Sequence, residues 1–254
     1  MVKKGVDVSR HNGLIDWVAA KEAGVEFAMI RAGYGQNVID ERFVRNVTEC
    51  NRLGIPCGVY WFSYALNAGM AQSEAKFCLN AIKPYRIEYP VAFDFEYDST
   101  EYAAKQGVKI TKTVASAMAK AFLLEIEKGG YFAVNYTNID YRTNMFTDEI
   151  NSRFGLWLAY WGSAVKPPVD CYIWQYGAKQ TKGFAETVDV NYSYIDFPTY
   201  LMEHGCNHLT DKWYTEARAW VQKVGISDGS EPEAAATRAE VWEMLRRYRD
   251  KFGG

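Results

Sequence analysis

No run of 18 apolar residues occurs in this 254-residue chain, so nothing in it reads as a membrane-spanning helix. No apolar segment of useful length follows Met1 either. The chain goes directly into Lys3-Lys4-Gly5-Val6-Asp7-Val8, and synthesis in a cytoplasm without a signal peptide is expected. Cysteine is sparse and unpatterned. Cys50, Cys57, Cys78, Cys171 and Cys206 are odd in number and form no CxxC pair, which argues against a disulfide framework and fits small buried hydrophobes. Neither charge dominates: 29 Lys and Arg against 31 Asp and Glu leave a net charge of −2. A broad basic footprint for a nucleic-acid backbone is absent. Neither nucleic acid nor membrane insertion is expected.

Aromatic residues, by contrast, are plentiful at 15%, with 18 Tyr, 13 Phe and 8 Trp. Rings offer a flat apolar face and a polar edge, which suits a polysaccharide or peptide groove as well as a core. The most informative stretch is Pro90-Val91-Ala92-Phe93-Asp94-Phe95-Glu96-Tyr97-Asp98. Alternate residues of a strand share a face, so Asp94 and Glu96 project to one side, about 6–7 Å apart at the backbone, and Phe93 and Phe95 to the other. Carboxylates rarely keep such apolar company unless they are paired or functional.

Apolar strands alternate with amphipathic helices along most of the chain. Strands are expected at 4–8, 25–32, 58–63, 91–96, 131–136, 155–161, 171–176 and 187–191. Helices are expected at 15–23, 41–53, 69–82 and 111–128, with Gly24, Gly54 and Gly129-Gly130 as stops. This succession points to parallel β/α units and to an α/β fold: an irregular (β/α) TIM-like barrel with a small C-terminal helical region. The later strands have few helices between them. A boundary near 203–210 divides a catalytic barrel over 1–204 from a helical domain over 205–254, where Thr237 and Glu240 form a capping-box pattern.

In parallel β/α folds reactive side chains collect where strands end. That rule gathers Asp7, Arg31, Tyr60 and Ser63, Asp94 and Glu96, Asn135 and Tyr136, Tyr160 and Trp161, Gln175, and Asp189 into one layer, with Asp189 ending the last strand. Close carboxylates raise at least one pKa among them, and burial beside aromatic rings adds to the effect. Such a cluster can protonate a poor leaving group, and glycosidic cleavage fits two carboxylates in an aromatic cleft best. A divalent-metal site also uses clustered carboxylates. Only His11 could join the cluster, however, and no DxD pattern is present, so neither metal nor cofactor is expected.

The chain resembles the lysozymes (N-acetylmuramidases) of glycoside hydrolase family 25. The resemblance is carried by Gly5-Val6-Asp7-Val8-Ser9, Ile30-Arg31-Ala32-Gly33-Tyr34-Gly35, Gly58-Val59-Tyr60-Trp61-Phe62-Ser63-Tyr64, Phe93-Asp94-Phe95-Glu96, Leu156-Trp157-Leu158-Ala159-Tyr160-Trp161, Ile173-Trp174-Gln175-Tyr176 and Asp189-Val190-Asn191. It implies an irregular barrel that cleaves the β-1,4 bond from N-acetylmuramic acid to N-acetylglucosamine in bacterial peptidoglycan. By position it implies Glu96 as general acid and Asp94 as its partner, either a nucleophile or the group that orients the substrate's 2-acetamido arm. Asp7 and Asp189 match the remaining active-site acids. Arg31, Tyr60, Trp61, Tyr136, Tyr160, Trp161 and Gln175 match substrate contacts, with Tyr34 and His11 weaker candidates. The missing export segment suggests a phage-endolysin type, held in the host cytoplasm until released to the wall. The competing readings are a non-catalytic wall-binding protein on a degenerate barrel and a chitinase-like enzyme, whose longer DxxDxDxE pattern is lacking.

The tail, with Trp220-Val221, Gly225-Ile226-Ser227-Asp228-Gly229, Pro232 and Ala236-Thr237-Arg238-Ala239-Glu240-Val241, resembles a single S-layer-homology-like repeat. That implies a secondary cell-wall polymer as partner. Since such repeats usually come in threes, a homodimer or homotrimer would supply the missing copies.

Overall fold

A computed structural model describes residues 2–162, 164–209, 215–227 and 236–253. Strands β1 (Lys3–Val8) and β2 (Phe27–Tyr34) lie side by side in parallel. The next parallel neighbours are β4 (Cys57–Phe62), β5 (Val91–Asp94), β6 (Ala133–Asn138), β7 (Gly155–Ala159) and β8 (Ile173–Gln180). Strand β9 (Thr187–Ser193) runs antiparallel to both β8 and β1 and closes the ring. Eight strands therefore form a closed barrel, and the two-residue β3 (Val38–Ile39) hangs on the edge of β2. The reversal of β9 corrects one expectation. Asp189 is the third residue of its strand instead of the last, yet reversal carries it to the same end of the barrel as Asp7, its register partner.

Helices α1 (Trp17–Glu22), α2 (Phe43–Leu53), α3 (Ala68–Ile82), α4 (Tyr97–Lys105) and α5 (Lys112–Lys128) occupy the first four crossovers, α4 and α5 sharing the fourth. Several begin where the sequence supplies a cap: Asp16 accepts from Ala19 N–H at 3.0 Å and Asn67 from Met70 N–H at 3.0 Å. Helix α2 ends at Gly54, whose φ of +62° suits glycine. Coverage then thins. Only the short α6 (Ile139–Asn144) and α7 (Asp148–Arg153) precede β7, and α8 (Phe197–Glu203) follows β9.

Strand alternation builds two apolar layers. Outward residues such as Val59, Trp61, Val91, Phe93 and Phe95 meet the helices in the main core. Phe27 faces inward at the N-terminal end, stacked on Tyr89 with centroids 4.4 Å apart, and plugs the lumen there. Gly5 makes room for it: a Cβ at that position would lie 2.5 Å from the Phe27 ring.

One carboxyl is buried outside the barrel mouth. Glu74 on α3 accepts from Ser63 Oγ at 2.5 Å, Tyr64 N–H at 3.1 Å and Gln36 Nε2 at 3.2 Å, tying two loops to the helix. Ser63 therefore serves this bracket and not the mouth. Burial pushes the Glu74 carboxyl up to about 7, against the pull of those hydrogen bonds. A folded pKa above the unfolded value means that the native state binds the extra proton. The stability it contributes is whole below about 4.5 and is lost as pH rises through about 7. Glu74→Gln should flatten the fall in stability over that window, by about 1–3 kcal/mol at its upper end. Denaturant melts at pH 4.5 and 7.5 check it; parallel slopes in the two proteins would refute it.

Residues 1–208 form one compact unit and 209–254 a second. Asn207 belongs to the first: it accepts from Phe132 N–H at 2.7 Å and donates to the carbonyls of Ile87 and Tyr89. In the second unit, α9 (Thr215–Lys223) and α10 (Arg238–Phe252) pair through Trp220, which stacks on Phe252 at 5.9 Å. Thr237 caps α10, with Glu240 N–H donating to its hydroxyl and Thr237 N–H donating to the Glu240 carboxylate. Asp228, Gly229 and Pro232 lie outside the described residues, and nothing in these helices distinguishes an S-layer-homology-like repeat from an ordinary helical pair. No helix among the described residues is long and apolar enough to cross a membrane.

Candidate active site

Strand β5 ends at Asp94, but the chain stays extended for two more residues: Glu96 has φ −127° and ψ −170° and becomes the N-cap of α4. Its N–H donates to the buried Ser99 Oγ at 3.1 Å, which fixes the backbone at the point where strand becomes helix. Phe93 and Phe95 point into the core, both without exposure and stacked 6.1 Å apart. The carboxyls of Asp94 and Glu96 therefore share the lumen side as near neighbours. Two close carboxyls disfavour ionising together, so the pair favours carrying one proton. Burial is the main reason that both sit above the usual carboxylate range. For Asp94, which is 3% exposed, the neighbouring Glu96 adds to the rise and Arg31 opposes it. For Glu96, the hydrogen bond from Asp94 opposes the rise, while Asp98 and Asp189 add to it.

Opposite this pair, Asp7 is held by amides. Its Oδ2 accepts from Asn191 Nδ2 at 2.7 Å and Gln175 Nε2 at 3.0 Å. Burial and the nearby Asp189 nevertheless raise the Asp7 carboxyl to about 7. Burial raises Asp189 as well. Gln175 is the hub of this side. Its Nε2 also reaches Asp189 Oδ2 at 3.5 Å, and its Oε1 accepts from Tyr136 OH at 3.1 Å and Trp161 Nε1 at 2.9 Å. With both polar atoms engaged and 3% exposure, Gln175 positions the acids and the rings; the expected direct sugar contact is not what this geometry provides.

The lumen wall between the two groups of acids is aromatic. Trp157 is buried, donates to Asn191 Oδ1 at 2.8 Å, and receives Tyr136 and Tyr60 edge-on at 4.6 and 5.9 Å. Tyr160 and Trp161 follow β7 and are 37% and 53% exposed. The Tyr160 backbone is pinned, its N–H donating to Gln175 O and its carbonyl accepting from Trp174 Nε1.

Trp61 is a correction. Alternation on β4 turns Tyr60 inward and Trp61 outward, where the ring has no exposure and its Nε1 donates to Gly35 O at 3.0 Å. It packs the core and does not reach a ligand. Asn135 likewise pairs in register with Phe93 and Leu156 and faces away from the lumen. Arg31 faces inward but is 9% exposed and bound to Asp40. Tyr34 accepts from Arg10 at 3.3 Å, and His11 is exposed on the turn after β1. Asn191, Trp157 and Asp40 were not anticipated. The first was legible, since Asp189-Val190-Asn191 puts two polar residues on one strand face.

Trp161 is thus the exposed ring tethered to the acid network. Trp161→Ala should raise KM about tenfold by removing a stacking face, and shift stability by less than about 1 kcal/mol because half the ring is already in water. Comparing KM with the thermal midpoint checks this; an unchanged KM would contradict it.

Among the described residues no group of three or more His, Cys, Asp or Glu could hold a metal ion. Two neighbouring carboxyls with raised pKa values, faced by a second pair held by amides, can move protons at a bound substrate.

Comparison with known proteins adds the family. An autolytic lysozyme of Clostridium acetobutylicum is 29% identical over 170 residues, and lysozyme M1 of Streptomyces globisporus is 40% identical over 72 residues. These matches span 47% and 24% of those two proteins and 66% and 28% of this chain. Among solved structures, the modular autolysin LytC of Streptococcus pneumoniae, in complex with a synthetic peptidoglycan ligand, superposes with a TM-score of 0.68 at 27% identity. It covers 76% of this chain and 47% of its own. A bacterial lysozyme of Streptomyces coelicolor, at 23% identity and TM-score 0.66, shares the fold over 82% of this chain and 98% of its own. The model of the glycosyl hydrolases family 25 matches residues 6–187, and the chain belongs to that family.

Proposed function

We propose that this protein is an endolysin-type N-acetylmuramidase that hydrolyses the β-1,4 bond between N-acetylmuramic acid and N-acetylglucosamine in bacterial peptidoglycan. The observation that carries the reading is the placement of Asp94 and Glu96 side by side on the lumen face, where burial raises both carboxyls above their usual range and favours a protonated donor. Glu96 is the more accessible of the two and stands at the strand–helix junction, where a leaving-group oxygen can approach it. It gives that oxygen its proton as the glycosidic bond breaks. That leaves Glu96 as a carboxylate. Asp94, already an anion while Glu96 holds the proton, accepts from the N–H of the substrate's 2-acetamido group and orients the acetamido oxygen toward the anomeric carbon. Water next adds at that carbon, Glu96 takes one of its protons, and the starting protonation is restored. Asp7 and Asp189 line the far wall, and the ionised form of either favours the positive charge that builds on the sugar ring. Trp161 and Tyr160 offer their faces to neighbouring sugars.

Purified, protein-free cell walls are the test substrate. Loss of turbidity with a matching rise in reducing ends, and no rise in free amino groups, is the expected result. Binding without release of reducing ends would favour the non-catalytic wall-binding reading and defeat this one.

A further inference from the structure

Among the described residues, two buried polar atoms in the lumen lack protein partners, and they are of opposite kind. Arg31 Nη2 is a donor without an acceptor, and Asp94 Oδ1 is an acceptor without a donor. Register puts Arg31 level with Tyr60, and Tyr60 level with Ala92, one inward position before Asp94. The guanidinium is fixed from behind. Asp40, 2% exposed, accepts from Arg31 Nε at 2.8 Å and Arg10 N–H at 3.1 Å through one oxygen, and from Arg42 N–H at 2.9 Å through the other. The Tyr34 ring lies 5.4 Å from the guanidinium carbon and limits its movement on another side. None of this is consumed by the reaction as described.

We propose that Arg31, clamped by Asp40, is a positioning residue whose charge draws Asp94 toward its anionic form and so lets the shared proton pass to Glu96. The inference rests on the muramidase reading of the pair. The charged and titratable groups facing Asp94 and Glu96 are Asp7 on β1, Arg31 on β2, Tyr60 on β4, Tyr136 on β6, Asp189 on β9 and Asp98 at the start of α4. Strands β7 and β8 contribute Trp157 and Gln175, which do not titrate. Arg31 alone in this set is a cation. Every other charge there disfavours a second anion in the pair, and burial favours the proton on the deeper Asp94. Without Arg31 the proton would stay on Asp94, and Glu96 would meet the substrate as a carboxylate with nothing to donate.

Removing Arg31 alone would leave Asp40 buried and unpaired, so the test uses the double variant Arg31→Gln with Asp40→Asn. Carbon NMR of the carboxyl groups should show Asp94 titrating about one pH unit higher than in the wild type. In turnover on purified walls, the pH optimum should move upward and kcat at neutral pH should fall about tenfold, with KM within about twofold. Arg31→Lys keeps the charge and should restore the wild-type pH profile. Should the double variant fail to fold, Arg31→Lys carries the test alone: an Asp94 titration within about half a unit of the wild type supports the proposal, and a larger shift overturns it. An unmoved Asp94 titration in the double variant, or a loss confined to KM, would also overturn it. The titration is read on resting protein. A wild type that releases no reducing ends would therefore defeat the muramidase reading and leave this measurement standing.

Discussion

Glu96→Gln is expected to lower kcat by about 10²–10⁴-fold while leaving fold and wall binding nearly intact. The substitution is close to isosteric, and the Glu96 backbone is anchored by Ser99 through its N–H, which the change does not touch. An amide can still donate to Asp94, so the buried partner keeps a neighbour. What disappears is the one oxygen that can hold a proton and give it away. The sign for stability is also defined. Burial and neighbouring acids hold the Glu96 pKa above its ordinary value, so ionised Glu96 weakens the fold as pH rises through that value. Removing the charge should leave the variant as stable as the wild type at neutral pH, or more so. Reducing-end assays beside a thermal melt separate the two effects, and turnover near that of the wild type would remove Glu96 from the acid role.

The second large effect concerns stability. Trp61→Ala should destabilise the protein by about 3–5 kcal/mol, since it deletes the largest kind of side chain from a site with no exposure. The hydrogen bond to Gly35 O is lost with the ring. Gly33 is shaped around the same ring: a Cβ there would lie 2.5 Å from it, so the cavity left behind has close-packed walls. Denaturant melts check the figure. Trp161→Ala provides the contrast, with a small effect on stability and a large one on substrate engagement. Equal stability losses for the two variants would contradict the division of labour between these tryptophans.

These two rings show how far the sequence could be read. Both sit beside tyrosine at the end of a barrel strand, as Tyr60-Trp61 and Tyr160-Trp161. In β4, alternation carries Trp61 to the helix-covered side. Strand β7 stops at Ala159, so Trp161 lies beyond the pleat and is free to swing toward Gln175. Periodicity alone could not say where β7 would end. The pair Asp94 and Glu96 was legible because period-2 patterning with phenylalanine on the opposite face admits a single arrangement once the phenylalanines are buried. The position of Asp189 at the barrel mouth is only partly legible in the sequence. Its strand is antiparallel, and short apolar strands carry no mark of direction, so reversal of β9 had to be seen in the pairing. Helix α4 was hidden because Tyr97-Asp98-Ser99-Thr100-Glu101 lacks an apolar stripe; its start is set by Glu96 and Ser99 instead. Asp40 is not legible because it lies on the connection from β3 to α2, where a single acid has no pattern, and only the fold brings it to Arg31.

The sugar left at the new chain end tests the central claim most directly. Walls digested by the wild-type protein can be reduced with borohydride and their fragments weighed by mass spectrometry. A proton delivered by Glu96 to the oxygen between N-acetylmuramic acid and N-acetylglucosamine leaves reduced N-acetylmuramic acid at every new end. Fragments ending in reduced N-acetylglucosamine would contradict the account.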